Sequence, residues 1–141
     1  MRFDFSQGPL NEMPRGFRSL LFGQGQPGEW RIVLDEVPQL LAPLTTNAPP
    51  VGKSRVLAQL SSDSTDERFP LLIYDEEVFG DFKLTTRFKT VRGAAERMAG
   101  VAFRLQDENN YYYIRASSIG NNFRFFKVVN GQRSAPIGPE V

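Results

Sequence analysis

Tyrosine and arginine residues between positions 104 and 124 carry most of the binding potential of this sequence. Tyr113 and Arg115 lie two residues apart, and Arg104 and Arg124 lie in the flanking segments. An aromatic ring beside guanidinium groups suits sugar rings and carboxylates, because the ring offers an apolar face and each guanidinium donates paired hydrogen bonds. These four residues are the candidate ligand-binding residues. Arginines that stack on tyrosines across neighbouring strands would only support a sheet, and this alternative stays open.

Carboxyl groups near this run are the candidate catalytic residues. Glycoside hydrolysis uses two carboxyl groups at a set separation, one protonated and one ionised. Glu96, Asp107 and Glu108 are candidates by elimination, and all three are expected in loops at the rim of a sheet. Nothing in the sequence pairs them. The sequence therefore favours a protein that is not an enzyme, with a glycoside hydrolase-like activity, through Glu96 and Asp107, as the alternative.

The composition excludes several classes of chemistry. There is no histidine and no cysteine, which removes thiol nucleophiles, disulfides, histidine-based triads and the usual zinc ligands. The 17 basic and 16 acidic side chains give a net charge of +1, so no nucleic-acid partner is implied. No apolar run is long enough to span a bilayer, and the first residues lack the apolar core of a signal peptide.

Three further features were candidates for ligand sites. The acidic clusters 63–67 and 75–77 offer oxygen ligands that calcium accepts, but neither has the spacing of a calcium loop. No cofactor is therefore expected, and calcium is the one metal kept open.

GQGQPG at 23–28 matches a dinucleotide fingerprint, but Pro27 interrupts it and a strand follows where a helix is needed. Trp30 is expected to anchor a core more often than to stack on a sugar.

The elements that must position these residues are predicted to be short antiparallel strands separated by turn residues. The strand segments are EWRIVL (29–34), RVLAQL (55–60), FPLLIY (69–74), DFKLTTRFK (81–89), GVAFRLQ (100–106), YYYIRAS (111–117) and NFRFFKVV (122–129). The segment 81–89 alternates most regularly. Its apolar side chains are predicted to face a core and its charged side chains to face solvent.

The three consecutive tyrosines cannot form one cluster, because successive side chains of a strand point to opposite faces. Tyr113 and Arg115 share one side with Tyr111, and Tyr112 and Ile114 share the other. We expect Tyr112 and Ile114 to lie in the core with the row Val101, Phe103 and Leu105. Tyr113 and the arginines are then expected on the opposite, ligand-binding face.

Two turns are predicted from residues that tolerate a left-handed backbone. The turn 107–110 closes a hairpin between 100–106 and 111–117, and Asn130-Gly131 closes another after 122–129. The second hairpin has almost no return strand, since ten residues with two prolines follow. The edge of strand 122–129 is therefore expected to be open, and a homo-oligomer through this edge is one way to close it.

Residues 1–28 are rich in glycine and proline and are predicted to form a peripheral segment outside the core. Residues 29–141 are predicted to form a single β-sandwich domain, which is an ordinary length for one core. Either the protein stays inside the cell or a leader was removed.

An ordered series of short motifs runs through the second half of the chain. Gly100–Arg104 has the form aG-hydrophobic-x-F-R, Asp107–Tyr112 follows as D-x-x-N-Y-Y, and Ile114–Ala116 and Lys127–Arg133 complete the series. With the upstream VLAQLSSDSTDERFP and the lone Trp30, this resembles the laminin-G-like, concanavalin-A-like jelly-roll domains of bacteria. More closely, it is similar to the domain-of-unknown-function family related to 3-keto-disaccharide hydrolases.

The resemblance implies an all-β, antiparallel two-sheet sandwich whose concave face binds a glycan or small sugar. It covers most of residues 28–133 and is more specific for fold than for activity. Such domains are often exported, which favours an extracellular or periplasmic protein. They usually continue with further strands, so the sandwich is expected to be incomplete at its C-terminus. The expected function is a non-catalytic carbohydrate-associated module, with a hydrolase or a structural protein-interaction module as alternatives.

Overall fold

The computed structural model describes residues 1–38, 47, 51–93, 97–139 and 141, and the regular secondary structure of these residues is β-strand alone. The strands are β1 (Phe17–Gly23), β2 (Trp30–Pro38), β3 (Val51–Gln59), β4 (Arg68–Tyr74), β5 (Met98–Asp107), β6 (Asn110–Ser117), β7 (Asn122–Val129) and β8 (Gln132–Arg133). The prediction of an all-β, antiparallel protein is confirmed. No helix in the described residues is long and apolar enough to cross a membrane.

The strands form three sheets, in which β1 pairs with β4, β2 pairs with β3, and the other four follow the order β5-β6-β7-β8. The chain divides into two compact units. Unit 1 comprises Met1–Ser19, Pro27–Ser62 and Leu72–Glu77, and unit 2 comprises Leu20–Gln26, Asp63–Leu71 and Val78–Val141. Unit 2 contains the whole four-stranded sheet and every candidate binding residue of the sequence.

Unit 1 is organised around the antiparallel β2–β3 pair, which runs in register from Trp30 opposite Gln59 to Pro38 opposite Val51. Ile32 is its most buried large residue, at 1 % exposure. The N-terminal residues hydrogen-bond to this strand, since the Asn11 amide donates to the Ile32 carbonyl and the Ile32 amide donates to Glu12, at 2.8 and 2.9 Å. Trp30 is half-buried, and its buried indole N–H has no hydrogen-bond partner in the described residues.

The prediction that residues 1–28 lie outside the core is wrong for β1. Its sequence FRSLLFG forms a strand that pairs with β4, and Phe22 is only 9 % exposed. Phe22 packs against Phe69 and Tyr111, with ring centroids 5.5 and 5.9 Å apart. The glycines and prolines around this run are typical of a loop. The short apolar run itself forms a strand because it pairs with β4, which is distant in sequence.

The core of unit 2 lies on one side of the β5–β8 sheet. Its buried residues are Phe22, Tyr111, Tyr113, Phe126 and Val128. The strands pair in register, so that Tyr111 lies opposite Val128 and Tyr113 opposite Phe126. The Tyr113 and Phe126 rings stack with centroids 5.0 Å apart and planes 13° from parallel. This side of the sheet is called the core side below.

The tyrosine strand alternates as the sequence predicts, but the opposite side is buried. Tyr111 and Tyr113 are 3 % and 8 % exposed, whereas Tyr112 is 37 % exposed. The predicted pairing of Phe103 with Tyr112 is confirmed. Both belong to the solvent side, so the expectation that Tyr112, Ile114 and Phe103 form the core is wrong.

A β-bulge explains why Leu105 does not lie on the same side of the sheet as Phe103. The ladder between β5 and β6 shifts register between Phe103 and Asp107, and Arg104 within this interval has a left-handed φ of 50°. Between these two pairs β5 has three residues and β6 has one, so two residues of β5 are extra and the alternation is broken there. Leu105 therefore packs against the core, which contradicts the predicted row of Val101, Phe103 and Leu105.

Residues 81–89 are not a strand in this structure, although their alternation is the most regular in the sequence. All nine are exposed, and Phe82, Leu84 and Phe88 are 51 %, 55 % and 51 % exposed. The prediction that their apolar row lies in a core is therefore wrong. Alternation specifies a strand only where a neighbouring strand supplies backbone hydrogen bonds, and none of the eight described strands pairs with these residues.

Both predicted hairpin turns are confirmed. Asp107 pairs with Asn110, and Asn130 and Gly131 have left-handed φ values of 50° and 74° between β7 and β8. The return strand β8 has only two residues, as expected from the prolines.

The edge of β7, however, is not open. The amides of Ser134 and Ile137 donate to the carbonyls of Lys127 and Phe125, at 2.9 and 2.8 Å. Farther along, the Phe123 amide donates to the Val141 carbonyl at 2.8 Å. The chain after β8 thus returns along β7 with interrupted bonding, because the prolines lack a donor. This leaves fewer free backbone groups for a second copy than the sequence predicts.

The assignment of the core side predicts a contrast between two phenylalanines of β7. Replacing Phe126, which is 4 % exposed, by alanine should lower the free energy of unfolding by about 3–5 kcal/mol. The matched control Phe123→Ala removes a ring that is 47 % exposed and should cost less than about 1 kcal/mol. Urea unfolding of both variants measures the difference, and equal losses would contradict the assignment.

Candidate functional site

The solvent side of β5, β6 and β7 carries a cluster of aromatic rings. Phe103, Tyr112 and Phe125 lie 6.0, 5.9 and 6.0 Å from one another, with planes 13° to 24° from parallel. Phe123 lies two residues before Phe125 on the same side and is 47 % exposed. We call these four residues the aromatic face. This face was not among the sites predicted from the sequence, although the alternation in NFRFFKVV places Phe123 and Phe125 together.

The aromatic face is almost free of charge. Its apolar neighbours on the same side include Val101 and Ile114, and the one strand carboxylate of this side, Asp107, lies opposite Asn110 at the far end of β5. One cation lies among them, since Lys127 is the cross-strand neighbour of Tyr112. An exposed apolar surface with a phenol and an ammonium group at its edge can bind a ligand that has both apolar faces and polar groups.

On the core side, the candidate ligand residue Tyr113 is surrounded by rings. Its ring contacts Phe69, Tyr111 and Phe126. Its hydroxyl is buried and makes no hydrogen bond within the described residues. Burial raises the pKa of Tyr113, and the nearby Arg133 guanidinium opposes part of this rise. Burial also raises the pKa of Tyr111. These phenols are core residues and offer little surface to a ligand.

The arginines of the core side interact with aromatic rings. The guanidinium of Arg115 lies 5.4 Å from the Phe126 centroid, and that of Arg133 lies 5.3 Å from Phe69 and 5.8 Å from Phe126. Arg124 is half-buried and is the cross-strand partner of Arg115. Such contacts are cation–π interactions that stabilise a sheet. The structure therefore brings Tyr113, Arg115 and Arg124 to one side, in contacts that support the fold.

The fourth candidate, Arg104, lies within the bulge of β5. It has a left-handed backbone and is exposed, with no ladder partner between Phe103 and Asp107. No pattern in the sequence marks the bulge.

The candidate catalytic carboxyl groups show no paired arrangement. One Asp107 carboxylate oxygen accepts hydrogen bonds from the Asn109 amide and the Asn110 side chain at 2.8 and 3.0 Å, and the other accepts from Asn110 at 3.2 Å. These bonds stabilise the β5–β6 turn. Glu108 is exposed in the same turn, and Glu96 lies outside the described residues.

The first acidic cluster holds two loops of unit 2 together. The Asp63 carboxylate accepts hydrogen bonds from the Thr65 hydroxyl and the Gln26 amide at 2.6 and 2.7 Å. Arg68 lies 3.4 Å from the same carboxylate and donates to the Gln26 carbonyl at 2.6 Å. The Asp63 and Arg68 side chains are 19 % and 6 % exposed. The Thr65 and Gln26 donors lower the pKa of Asp63 to about 2.

The second cluster is also engaged with protein groups. Asp75 forms an ion pair with Arg18, whose second nitrogen donates to the other carboxylate oxygen at 3.2 Å. This hydrogen bonding lowers the pKa of Asp75. Across the described ranges, no three acidic side chains converge as metal ligands would. The glycine-rich residues 23–28 connect β1 to β2, so the following element is a strand, as the sequence predicts.

A small cavity of about 230 Å³ lies beside β7 where the chain returns after β8. Its lining residues are Arg124, Phe125, Pro136, Ile137, Gly138 and Pro139. It is smaller than the pockets that usually hold a drug-sized ligand.

Comparisons with known proteins found no matching family model, curated protein or solved structure. The likeness to laminin-G-like domains and to the family related to 3-keto-disaccharide hydrolases therefore stays a prediction from the quoted motifs.

The hydrogen bonds of Asp63 predict how its contribution to stability depends on pH. Its pKa is lowered from 3.8 to about 2, so the ionised carboxylate stabilises the fold above pH 3.8, and this contribution disappears as the pH falls toward 2. Asp63→Asn should therefore lower the urea midpoint at pH 6. The difference in midpoint between this variant and the unsubstituted protein should shrink as the pH falls from 3.8 toward 2.

Urea unfolding at several pH values measures this dependence. The control is Asp66→Asn, which changes an exposed residue of the same loop and should alter the midpoint little at any pH. A gap for Asp63→Asn that stays constant from pH 6 to pH 2 would contradict the assigned hydrogen bonds.

Proposed function

We propose that this chain is a non-catalytic binding module that binds a carbohydrate on its aromatic face. The observation that carries the proposal is the group of Phe103, Tyr112, Phe123 and Phe125 on the solvent side of the β5–β7 sheet. In this proposal the chain is a concanavalin-A-like jelly roll, as its motif series suggests. The ligand surface is the side opposite to the one that the sequence predicted.

The chemistry of this face suits a sugar ring. Sugars have an apolar face of C–H groups surrounded by hydroxyls, so they bind aromatic rings that have polar groups at their margin. The Tyr112 hydroxyl and the Lys127 ammonium group supply such a margin, since these two residues are cross-strand neighbours. The mutual stacking of three rings fixes their rotamers, so little side-chain entropy is lost on binding.

The surroundings of the carboxyl groups support binding over hydrolysis. A glycosidase needs one carboxyl group with a raised pKa opposite an ionised one. Among the described residues, the aspartates with shifted pKa values, Asp4, Asp63 and Asp75, are all shifted downward. The Asp107 carboxylate accepts hydrogen bonds from Asn109 and Asn110 in the turn that it closes. This pattern favours a binding role.

A second candidate function is the packing of the aromatic face against another protein. The observation that favours it is the orientation of the three stacked rings, whose planes are nearly parallel. Parallel rings turn their faces toward one another and present edges outward, which suits an apolar protein surface. Sugar binding then relies chiefly on Phe123, which is outside the stack, and on the polar margin.

The test uses soluble neutral and acidic polysaccharides in affinity electrophoresis, followed by calorimetry with the best ligand. Phe123→Ala and Tyr112→Ala should each weaken binding about tenfold, because each removes an exposed aromatic contact worth about 1 kcal/mol or more. Phe3→Ala is the matched control, since Phe3 is an exposed phenylalanine of unit 1 at 45 %. It should leave the affinity unchanged.

Two results would contradict the proposal. Loss of affinity in Arg115→Ala, with both aromatic variants unaffected, would place the ligand on the core side. Binding to no polysaccharide, together with a molar mass in light scattering that rises with protein concentration, would favour the protein-packing function.

A further inference from the structure

Residues 81–89, called the amphipathic segment below, have the composition of an edge strand, but no strand of the described residues pairs with them. Phe82, Leu84 and Phe88 occupy one row of the alternation and are half exposed. Lys83, Thr85, Arg87 and Lys89 occupy the other row. Exposing three large apolar side chains at strand spacing is costly in water, so this row favours a covered position.

A free sheet edge of matching length belongs to the same unit. β5 pairs with β6 on one side and is the first strand of the sheet, so no described strand pairs with its outer side. β5 spans Met98–Asp107, about the length of the amphipathic segment. The core side is thinly covered at this edge, because the β5 residues there include Gly100, which is exposed, and the small Ala102. Large apolar side chains from an added strand would cover this gap.

The connection between the segment and β5 begins and ends at one end of the sheet. The Thr90 hydroxyl lies 3.1 Å from the Ser118 hydroxyl. The Ser118 amide donates to the carbonyl of Arg97, the residue before β5, at 2.9 Å. Residue 90 is thus held near the start of β5, which is where a preceding antiparallel strand has to end. The tether keeps the segment at high effective concentration near its own β5 edge.

We propose that the amphipathic segment docks along the outer edge of β5 as an antiparallel strand, and that its cationic row then makes the aromatic face selective for acidic, carboxylate-bearing glycans. The choice of ligand rests on the proposed function. The docking rests only on the geometry of unit 2.

The alternation determines which row reaches which side. Side chains of a docked strand point to opposite sides of the sheet, so the apolar and cationic rows cannot share one side. The core side accepts Phe82, Leu84 and Phe88, because a charge buried there without a partner would be unstable. Lys83 and Arg87 consequently lie on the solvent side, next to the aromatic face.

The resulting surface carries more positive than negative charge, with Asp107 of β5 as the strand carboxylate on this side of the sheet. Lys83 and Arg87 flank the β5 margin, and Lys127 flanks the aromatic face from β7. No described carboxylate forms an ion pair with Lys83 or Arg87. Asp81 is the one acidic residue of the added row, at its far end. Arginine and lysine beside aromatic rings recognise a sugar that carries a carboxylate, since they supply charge-assisted hydrogen bonds.

Hydrogen exchange tests the docking without any substitution. If the segment docks, amides within residues 81–89 and on the outer edge of β5 should exchange slowly, at a rate independent of protein concentration. Fast exchange throughout 81–89 would overturn the docking. Slow exchange that appears only as protein concentration rises would overturn it as well, because the segment would then occupy the β5 edge of a second copy.

The selectivity is tested with polygalacturonate and its fully methyl-esterified form, which share a backbone and differ in charge. Polygalacturonate should bind about tenfold more tightly, and the double variant Lys83→Glu/Arg87→Glu should remove this preference. The matched control is Arg15→Glu/Lys53→Glu, which makes the same charge change at exposed residues of unit 1 and should preserve it.

The outcomes separate this inference from the proposed function. Equal affinity for the two polymers, with loss of both in Phe123→Ala, would overturn the acidic selectivity and leave the sugar-binding function standing. Binding of neither polymer, nor of any other polysaccharide, would count against the function itself. If both double variants lost the preference for polygalacturonate equally, net charge alone would explain the preference. The assigned position of Lys83 and Arg87 would then be overturned.

Discussion

The stacking of Tyr113 on Phe126 is the contact on which the organisation of unit 2 depends. The rings belong to residues directly opposite each other on β6 and β7, and their centroids are 5.0 Å apart. Because side chains alternate along a strand, burying this pair also buries Tyr111 and Val128. It also turns Tyr112 and Phe125 outward. One cross-strand contact thus determines both the core and the exposed aromatic face.

Much of the fold follows from local sequence signals, because turns and alternating strands depend on nearby residues. Seven strand segments were predicted and six are strands, and both hairpin turns lie where Asn, Asp and Gly residues place them. The side of the sheet that is buried could not be predicted. Both rows of β6 contain a tyrosine and both rows of β7 contain phenylalanine, so apolar content does not distinguish them. That choice is made by Phe22 and Phe69, which are distant in sequence.

The candidate site illustrates the same limit. Tyr113, Arg115 and Arg124 were correctly placed on one side, since the period of a strand is two. Their role was not predictable, because arginine against an aromatic ring supports a sheet and binds a ligand through the same chemistry. Arg104 lies where the bulge of β5 breaks the alternation, so the period of two does not apply to it. The amphipathic segment was predicted as a strand from its regular alternation. Alternation does not specify the neighbouring strand that supplies backbone hydrogen bonds, so the prediction failed there.

The turn at Asn130-Gly131 has a consequence for the chemical durability of the protein. Asparagine followed by glycine ages by deamidation, in which the glycine nitrogen attacks the asparagine side chain and a succinimide ring forms. Here the Gly131 N–H donates a hydrogen bond to the Asn109 carbonyl at 3.0 Å. The Asn130 N–H donates to the Asn110 side chain, also at 3.0 Å. The attacking nitrogen is therefore held by the neighbouring hairpin. The folded chain thus protects the Asn130-Gly131 dipeptide from deamidation, which would proceed readily in the unfolded chain.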